Sequence, residues 1–517
     1  MAVEPIDFSV DDTAGKRRGI HPIPLVKRTL TAFIGRTERG PVNEPIALSS
    51  FDEYRRFFGS HVTFSFVSYA VQHYFLHGGQ SAVVVRVVNR ATRAGIELKA
   101  GDETLYLQAR HPGSQEHLRV SIDYDGVEYD SSRFNLVVQR LRGAQSQLVE
   151  DQELYPRLCM RASDDRYIVD ALQHSALLRL SAPVPGQRPD ATPPKRPGEP
   201  MSYLATSTLG SDGSELTDYD IIGSGREGTG LFALLRTEPI DLLCIPPAPH
   251  RDLGITSFVA AERFCERQRC MLIWDPPWSW DTSAAAVRGV RSSLYASHNA
   301  LTYFPRIRRR GDLVRFAGGL PACGAIAGLL ARSDAGGVWR GLTDEIGALQ
   351  TSFTAVEELA AKDITVLRRF GVNTLSRGPG SHYIVEGKVT LADPGRMSNA
   401  WRKLDRRRTL FFVLNQIVVA TRSVHRGLDD RETVRNLEFQ LTAFLIGLFK
   451  QGALVGRSAS QAFLLRVVDT MDDSQLVVRV GVALQRPGEF VSYDFTYGPS
   501  GCTVRPAPAL EAQQLVS

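Results

Sequence analysis

The sequence predicts a multidomain chain of α/β and α+β texture, with an inserted β-rich domain and extended terminal arms. Three observations lead there. The 517 residues exceed what one hydrophobic core usually organises, so about three or four domains are expected. Strand-like and helix-like runs alternate over 29–94 and again from 201 onward, the texture of strands flanked by helices. Between them, 95–182 carries alternating runs such as ETLYLQAR and HLRVSIDYDG with turn residues between, which read as a β-rich module.

Residues 1–28 are polar, carry Pro5, Pro22 and Pro24, and read as an extended N-terminal arm. In 29–94, LTAFIG gives a strand, Gly40-Pro41 a turn and IALSS a second short strand. Ser50 and Glu53 form a capping-box signature for the helix FDEYRRFF, which stops at Gly59. A second helix is expected from Phe66 to His77, then the strand SAVVVRVV, continuous and β-branched as a buried strand should be. After the module, 183–200 (PVPGQRPDATPPKRPGEP) is proline-rich and reads as a linker or exposed loop. The middle α/β domain, 201–345, alternates IDLLCIPP, a helix over 255–268, CMLIWDPP and a helix over 283–296. The C-terminal domain, 346–497, holds the clearest helix. Val434, Leu437, Leu441, Phe444, Leu445 and Leu448 form its apolar stripe, with Asp429 or Asp430 as start and Gly452 as stop. The strands AFLLRVVD, QLVVRVGVAL and EFVSYDFTY close it, and 498–517 reads as a flexible tail.

The bulk chemistry excludes several function classes. A net charge of +5 over this length gives no general case for nucleic acid. No apolar run approaches the roughly 20 residues that cross a bilayer. The N-terminal MAVEPIDFSVDDTAGKRR lacks an apolar core region, so no Sec signal peptide is expected. Cys159, Cys244, Cys265, Cys270, Cys323 and Cys502 are scattered and read as reduced thiols.

Candidate motifs are few. GSGREG is a literal G-x-G-x-x-G at Gly223, Gly225 and Gly228. Its preceding DYDII is too short and acidic for a buried first strand, Glu227 repels phosphate, and Asp241 lies too near for a ribose ligand. A surface glycine loop is the plainer reading, and no cofactor is assigned. His73 and His77 have the i, i+4 spacing of a metal pair without a third ligand, so packing or surface histidines are expected. Two basic clusters, RIRRRGD (306–312) and WRKLDRRR (401–408), lack the interleaved aromatics of a nucleic-acid module. They suit a solvated face or an acidic protein partner.

Several stretches, collinear over about 31–497, resemble the tail sheath proteins of contractile phage tails and bacterial contractile injection systems. They are TAFIGRTERGPVNEPIALSSFDEYRRFFG, AVQHYFLHGGQSAVVVRVV, TGLFALL with IDLLCIPP, WDPP, YFPRI and PACGAIAGLLARSDAGGVWR. Near the C-terminus GVNTL, EGKVTL, DRRRTLFFVLNQI, FLIGLFKQGALVG and RPGEFVSYDF resemble the family's most shared region. The module over 95–182 resembles an insertion domain of such sheaths, and VEPIDFSVDD stands where many members carry an opening strand.

The resemblance implies a sheath-type core and a non-enzymatic structural subunit. It implies stacked, hexameric rings around an inner tube protein, with baseplate and terminal cap proteins as further partners. Neither nucleic acid nor direct membrane insertion is involved. Assembly would take place in the bacterial cytoplasm, as part of a phage tail or a tail-like particle. Subunits would exchange strands through Val3, Ile6 and Phe8 at the N-terminus and Phe490, Ser492, Asp494 and Phe495 at the C-terminus. Tube or neighbour contacts would fall to Arg402, Lys403, Arg406, Arg407, Arg408, Arg435 and Lys450. The inserted module would lie outermost and the C-terminal domain would face the tube. A specialised end-proximal paralogue, or a nucleotide-binding enzyme using 223–228, are the alternatives.

Overall fold

A computed structural model describes residues 23–127, 132–192, 202–310, 316, 318–343, 345–378, 382–392, 395, 397, 399–422, 431–469, 476–498 and 501–507. The chain divides into two units, Arg28–Arg408 and a second made of Met1–Lys27 with Thr409–Ser517. The first opens with β1 (Leu30–Gly35), β2 (Ile46–Leu48), α1 (Phe51–Phe58), α2 (Val67–Leu76) and β3 (Ser81–Arg86). β1 and β3 pair in parallel and are buried almost throughout, which is why both read as unbroken apolar runs. Ser50 caps α1 by accepting from the Glu53 amide at 3.2 Å, and Gly59 ends it at φ 83°.

The chain then builds the inserted module from β4 (Gly95–Ala100), β5 (Glu103–Ala109), β6 (Leu118–Asp123), β7 (Arg133–Leu141), β8 (Val149–Cys159), α3 (Ile168–Gln173), β9 (Leu178–Leu180) and β10 (Leu204–Ala205). One antiparallel sheet runs β4–β5–β9 and another β10–β6–β7–β8. Alternation along each strand points Ile96, Leu98, Leu107, Val120, Ile122 and Leu136 into a shared core. Two expectations change here. The module does not end at 182, because β10 pairs with β6 and Gly95 bridges Thr208. Nor do the described residues of the expected linker hang free. The Asp190 amide donates to Lys99 O, the Thr192 amide to Ile122 O, and Tyr124 OH to Pro189 O. Backbone pairing supplies what the segment lacks in apolar side chains.

Back in the α/β layer come α4 (Asp218–Ile222), β11 (Leu242–Cys244), α5 (Ile255–Gln268), β12 (Met271–Ile273), α6 (Ser283–Ser292), β13 (Ala300–Phe304), β14 (Ile307–Arg309), α7 (Cys323–Asp334), β15 (Phe353–Ala355), α8 (Ala361–Arg369), β16 (Val372–Arg377) and β17 (Tyr383–Glu386). One sheet takes the order β17–β16–β13–β12–β11–β1–β3–β2. Its interior pairings are parallel and its two edges antiparallel. Residues 29–94 and 201–345 therefore share a single sheet. The expected boundary at 345/346 is also displaced, since β16 pairs in parallel with β13. The core on one face gathers Ile34, Val85, Leu243, Phe258, Leu272 and Trp274.

α9 (Leu404–Ala420), α10 (Arg431–Lys450), α11 (Ala459–Ala462), β18 (Phe463–Asp469), β19 (Leu476–Ala483), β20 (Phe490–Gly498) and β21 (Gly501–Pro506) complete the chain. The α10 stripe is as expected, with Leu437, Leu441, Phe444, Leu445 and Leu448 buried. Asp429 and Asp430 lie outside the described residues. Gly452 terminates α10 at φ 75°, and the next amide returns to Leu448 O. The tail expected over 498–517 is corrected in part, because Gly501–Pro506 is a strand in ladder with β20.

Candidate functional site

The second unit carries a four-stranded antiparallel sheet in the order β18–β19–β20–β21. β20 is paired along both sides, Phe490 opposite Ala483 on β19 and Tyr493 opposite Pro506 on β21. Phe490 packs with Leu464 and Ala483. Phe495 and Tyr497 are buried as well, and they fall on the opposite face by strand parity. Tyr497 OH reaches Thr421 Oγ1 at 3.1 Å. Asp494 accepts from Arg479 Nε at 2.6 Å and Nη2 at 2.8 Å across the ladder. Those hydrogen bonds hold the Arg479 pKa above its ordinary value. Ser492 is buried. The C-terminal candidates are thus gathered on one strand of the chain's own sheet.

Val3, Ile6 and Phe8 lie outside the described residues. The first described residues of the arm are seated on the helices of the second unit. Ile23 is buried, Pro24 O accepts from Gln416 Nε2 at 2.9 Å, and Leu25 lies against Gly447 of α10. A Cβ at Gly447 would come within 2.9 Å of a Leu25 methyl, so glycine lets Leu25 sit close to α10.

The basic candidates separate into two groups. Arg402, Arg407 and Arg408 are committed within the first unit. Arg402 Nη2 donates to Arg368 O at 2.7 Å and Arg369 O at 3.0 Å. Arg407 donates to Asn299 Oδ1 from Nε at 3.0 Å and Nη2 at 2.7 Å, and its guanidinium stacks over Trp401. Arg408 is 5% exposed and forms a two-pronged pair with Asp334, at 2.9 and 2.5 Å, which Thr29 Oγ1 also joins. Burial opposes the charge on Arg408, yet Asp334 raises its pKa on balance. Lys403 is exposed and Arg406 half-buried. Arg435 and Lys450 are exposed on α10. One turn beyond Arg435 stands Phe439, 68% exposed, a residue the apolar-stripe reading passed over because it lies off the stripe.

This order of elements can be set against solved structures. Over 92% of this chain and 97% of the other, the fold is similar to the sheath tail protein from Listeria innocua, with TM-score 0.59 and 12% identity. The sheath tail protein from Desulfitobacterium hafniense gives TM-score 0.54 at 12% identity over 94% and 97%. The contracted sheath complex of the PVC extracellular contractile injection system gives TM-score 0.52 at 13% identity over 95% and 96%. The chain has the contractile-sheath fold. No family model and no curated protein matches it by sequence.

Within the sheath fold, GSGREG has a structural role. DYDII is the short helix α4, capped by Thr217 and Asp220, so the glycines follow a helix and not a strand. Gly223 takes φ 69° and a Cβ there would meet Thr229 O at 2.1 Å. The Ser224 amide donates to Thr229 Oγ1, the Thr229 amide to Ser224 O and the Gly230 amide to Asn43 Oδ1. The Ser224 and Thr229 amides are thus engaged within the turn and the Gly230 amide with Asn43. His73 and His77 are fully buried against Phe353, ring centroids 4.8 and 4.7 Å away. Burial pushes His73 well below its ordinary pKa and His77 down to about 4, so both are neutral packing groups. Among the described residues no three His, Cys, Asp or Glu side chains could hold a metal ion together. No described helix is long and apolar enough to cross a membrane. All six cysteines are free thiols, and only Cys502 is not buried.

Proposed function

We propose that the chain is a structural, non-enzymatic subunit of a contractile sheath, polymerising around an inner tube and shortening to drive that tube through a target envelope. The observation that carries this is the extent of the likeness: the similarity to a sheath tail protein covers 92% of the chain. The subunits stack in hexameric rings, with an inner tube protein and with baseplate and cap proteins at the ends. The particle assembles in the bacterial cytoplasm, as a phage tail or a tail-like injection device.

The terminal segments carry the subunit contacts. The arm bearing Val3, Ile6 and Phe8 adds a strand to a neighbour's sheet. β20, with Phe490, Ser492, Asp494 and Phe495, makes in one chain the same ladder it would make with a neighbour. Identical bonds in cis and in trans make exchange of such an element inexpensive. The 484–489 turn between β19 and β20 is its hinge. Main-chain pairing keeps the lattice connected while domain faces repack, and the force comes from a packing difference on the order of a few kcal/mol per subunit summed over many copies. Arg435, Lys450, Lys403 and Arg406 remain available for the tube or a neighbour, whereas Arg402, Arg407 and Arg408 act within the fold. The inserted module would lie outermost and the C-terminal domain, 346–497, would face the tube.

Sedimentation velocity of the full chain beside chains lacking 1–12 or 487–517, which removes β20, tests the exchange. Large polymers are expected for the full chain and folded monomers for both deletions. Polymers that persist in both would refute strand exchange.

A further inference from the structure

Where the loop after β1 meets the inserted module, a cavity of about 650 Å³ opens. Arg93 on the approach to β4, Arg110 just after β5 and Arg179 on β9 all line it, with His111 beside them. Glu44 is the one carboxylate among the described lining residues. Arg93 Nε donates to Arg110 O at 3.3 Å and Arg110 Nη1 to Gln173 O at 3.4 Å. These bonds take one backbone acceptor each and leave most of the guanidinium donors unused. Among the described residues none of the three arginines is ion-paired.

Arg39, Arg133 and Arg408, by contrast, face the carboxylates of Glu150, Asp164 and Asp334. In the cavity the like charges converge instead. Burial, then Arg179 and Arg110, lowers the Arg93 pKa. Burial, then Arg86, Arg110, Arg93 and Arg140, presses His111 down to about 4. The positive field of the empty cavity opposes every cation in it, and an anion entering would reverse that sign.

We propose that this cavity is a binding site for a small molecule bearing a multivalent oxyanion, with phosphoryl groups as the first candidate. Guanidinium forks match phosphoryl and carboxylate oxygens two at a time. Neutral His111 adds a ring N–H, and Val42, Val169 and Leu172 give an apolar wall for the rest of the ligand. The volume exceeds that of a single phosphate. Because Val42 and Glu44 belong to the α/β sheet domain and Arg110 and Arg179 to the module, a bound anion would tie the two together.

The test is calorimetric titration of the purified full chain with inorganic pyrophosphate at fixed ionic strength, with citrate in parallel. Saturable one-site binding is expected, weakened about tenfold or more in Arg93→Gln and in Arg179→Gln, since each removes charge-assisted hydrogen bonds. The Arg179 side chain is exposed, and its substitution leaves the backbone ladder with Gln108 in place, so its variant should melt at the wild-type temperature. Citrate binding with the same arginine dependence supports the site and widens it to polycarboxylates. No saturable heat with either anion, or wild-type affinity retained in both variants, would overturn it. Polymer formation does not enter the readout, so this site and the sheath reading stand or fall separately.

Discussion

At the residue scale, buried charge is the most exacting feature of the first unit. Asp334 is 2% exposed and receives both prongs of Arg408 as well as the Thr29 hydroxyl. Removing one partner leaves the other charge buried and unpaired, which costs about 3–5 kcal/mol. Asp334→Ala should therefore unfold at markedly lower denaturant than wild type, and Arg408→Met with Asp334→Leu should recover much of the loss. Asp275 makes a second prediction. Its Oδ1 accepts the Ala322 and Cys323 amides at 2.9 and 3.1 Å at the start of α7, and burial lifts its pKa from 3.8 to about 6. The folded value lies above the unfolded one, so its contribution is fully present below about pH 4 and lost as pH rises through 6. At pH 7 the charged form burdens the fold by on the order of 3 kcal/mol. Asp275→Asn keeps the accepting oxygen and should gain on wild type in urea unfolding between pH 4 and 6.5. Parallel stability profiles across that range would contradict the assignment.

At the element scale, local signals were legible and long-range pairing was not. The helices over Phe51–Phe58 and Ile255–Gln268 follow from caps and apolar spacing within a few residues of where they lie. The burial of Arg407 and Arg408 also had a signal. Leu404, Arg407, Arg408 and Phe411 are buried at i, i+3, i+4 and i+7, one face of α9, but a basic run invites a surface reading. β16 could not be assigned to its sheet from sequence, because its parallel partner β13 lies some seventy residues earlier. β21 was missed because GCTVRP offers little apolar alternation and none of its residues is fully buried. What the pattern did leave visible is an outward face on α10. Phe439→Ser should shift the melting temperature very little, being a surface change, and should raise the concentration needed for polymer formation if that face meets a partner. Unaltered polymerisation would remove α10 from the candidate contacts.

For the molecule as a whole, the class of fold was readable where individual sheets were not. Strands flanked by helices on either side of an alternating β-rich stretch suggest a module inserted between two α/β segments. They do not reveal that the flanking segments rejoin in one sheet, since that needs β1 beside β11 across the whole insertion. The likeness to sheath proteins at 12–13% identity shows how little side-chain identity the architecture requires, as expected where main-chain ladders and burial pattern set the fold. On the proposed reading the subunit works only as one of many, so its function should be visible as assembly. Electron microscopy of the purified full chain measures that directly. The sheath account predicts long tubular polymers of uniform diameter, most of them in the short, wide state. A field containing only compact monomers under the same conditions would contradict it.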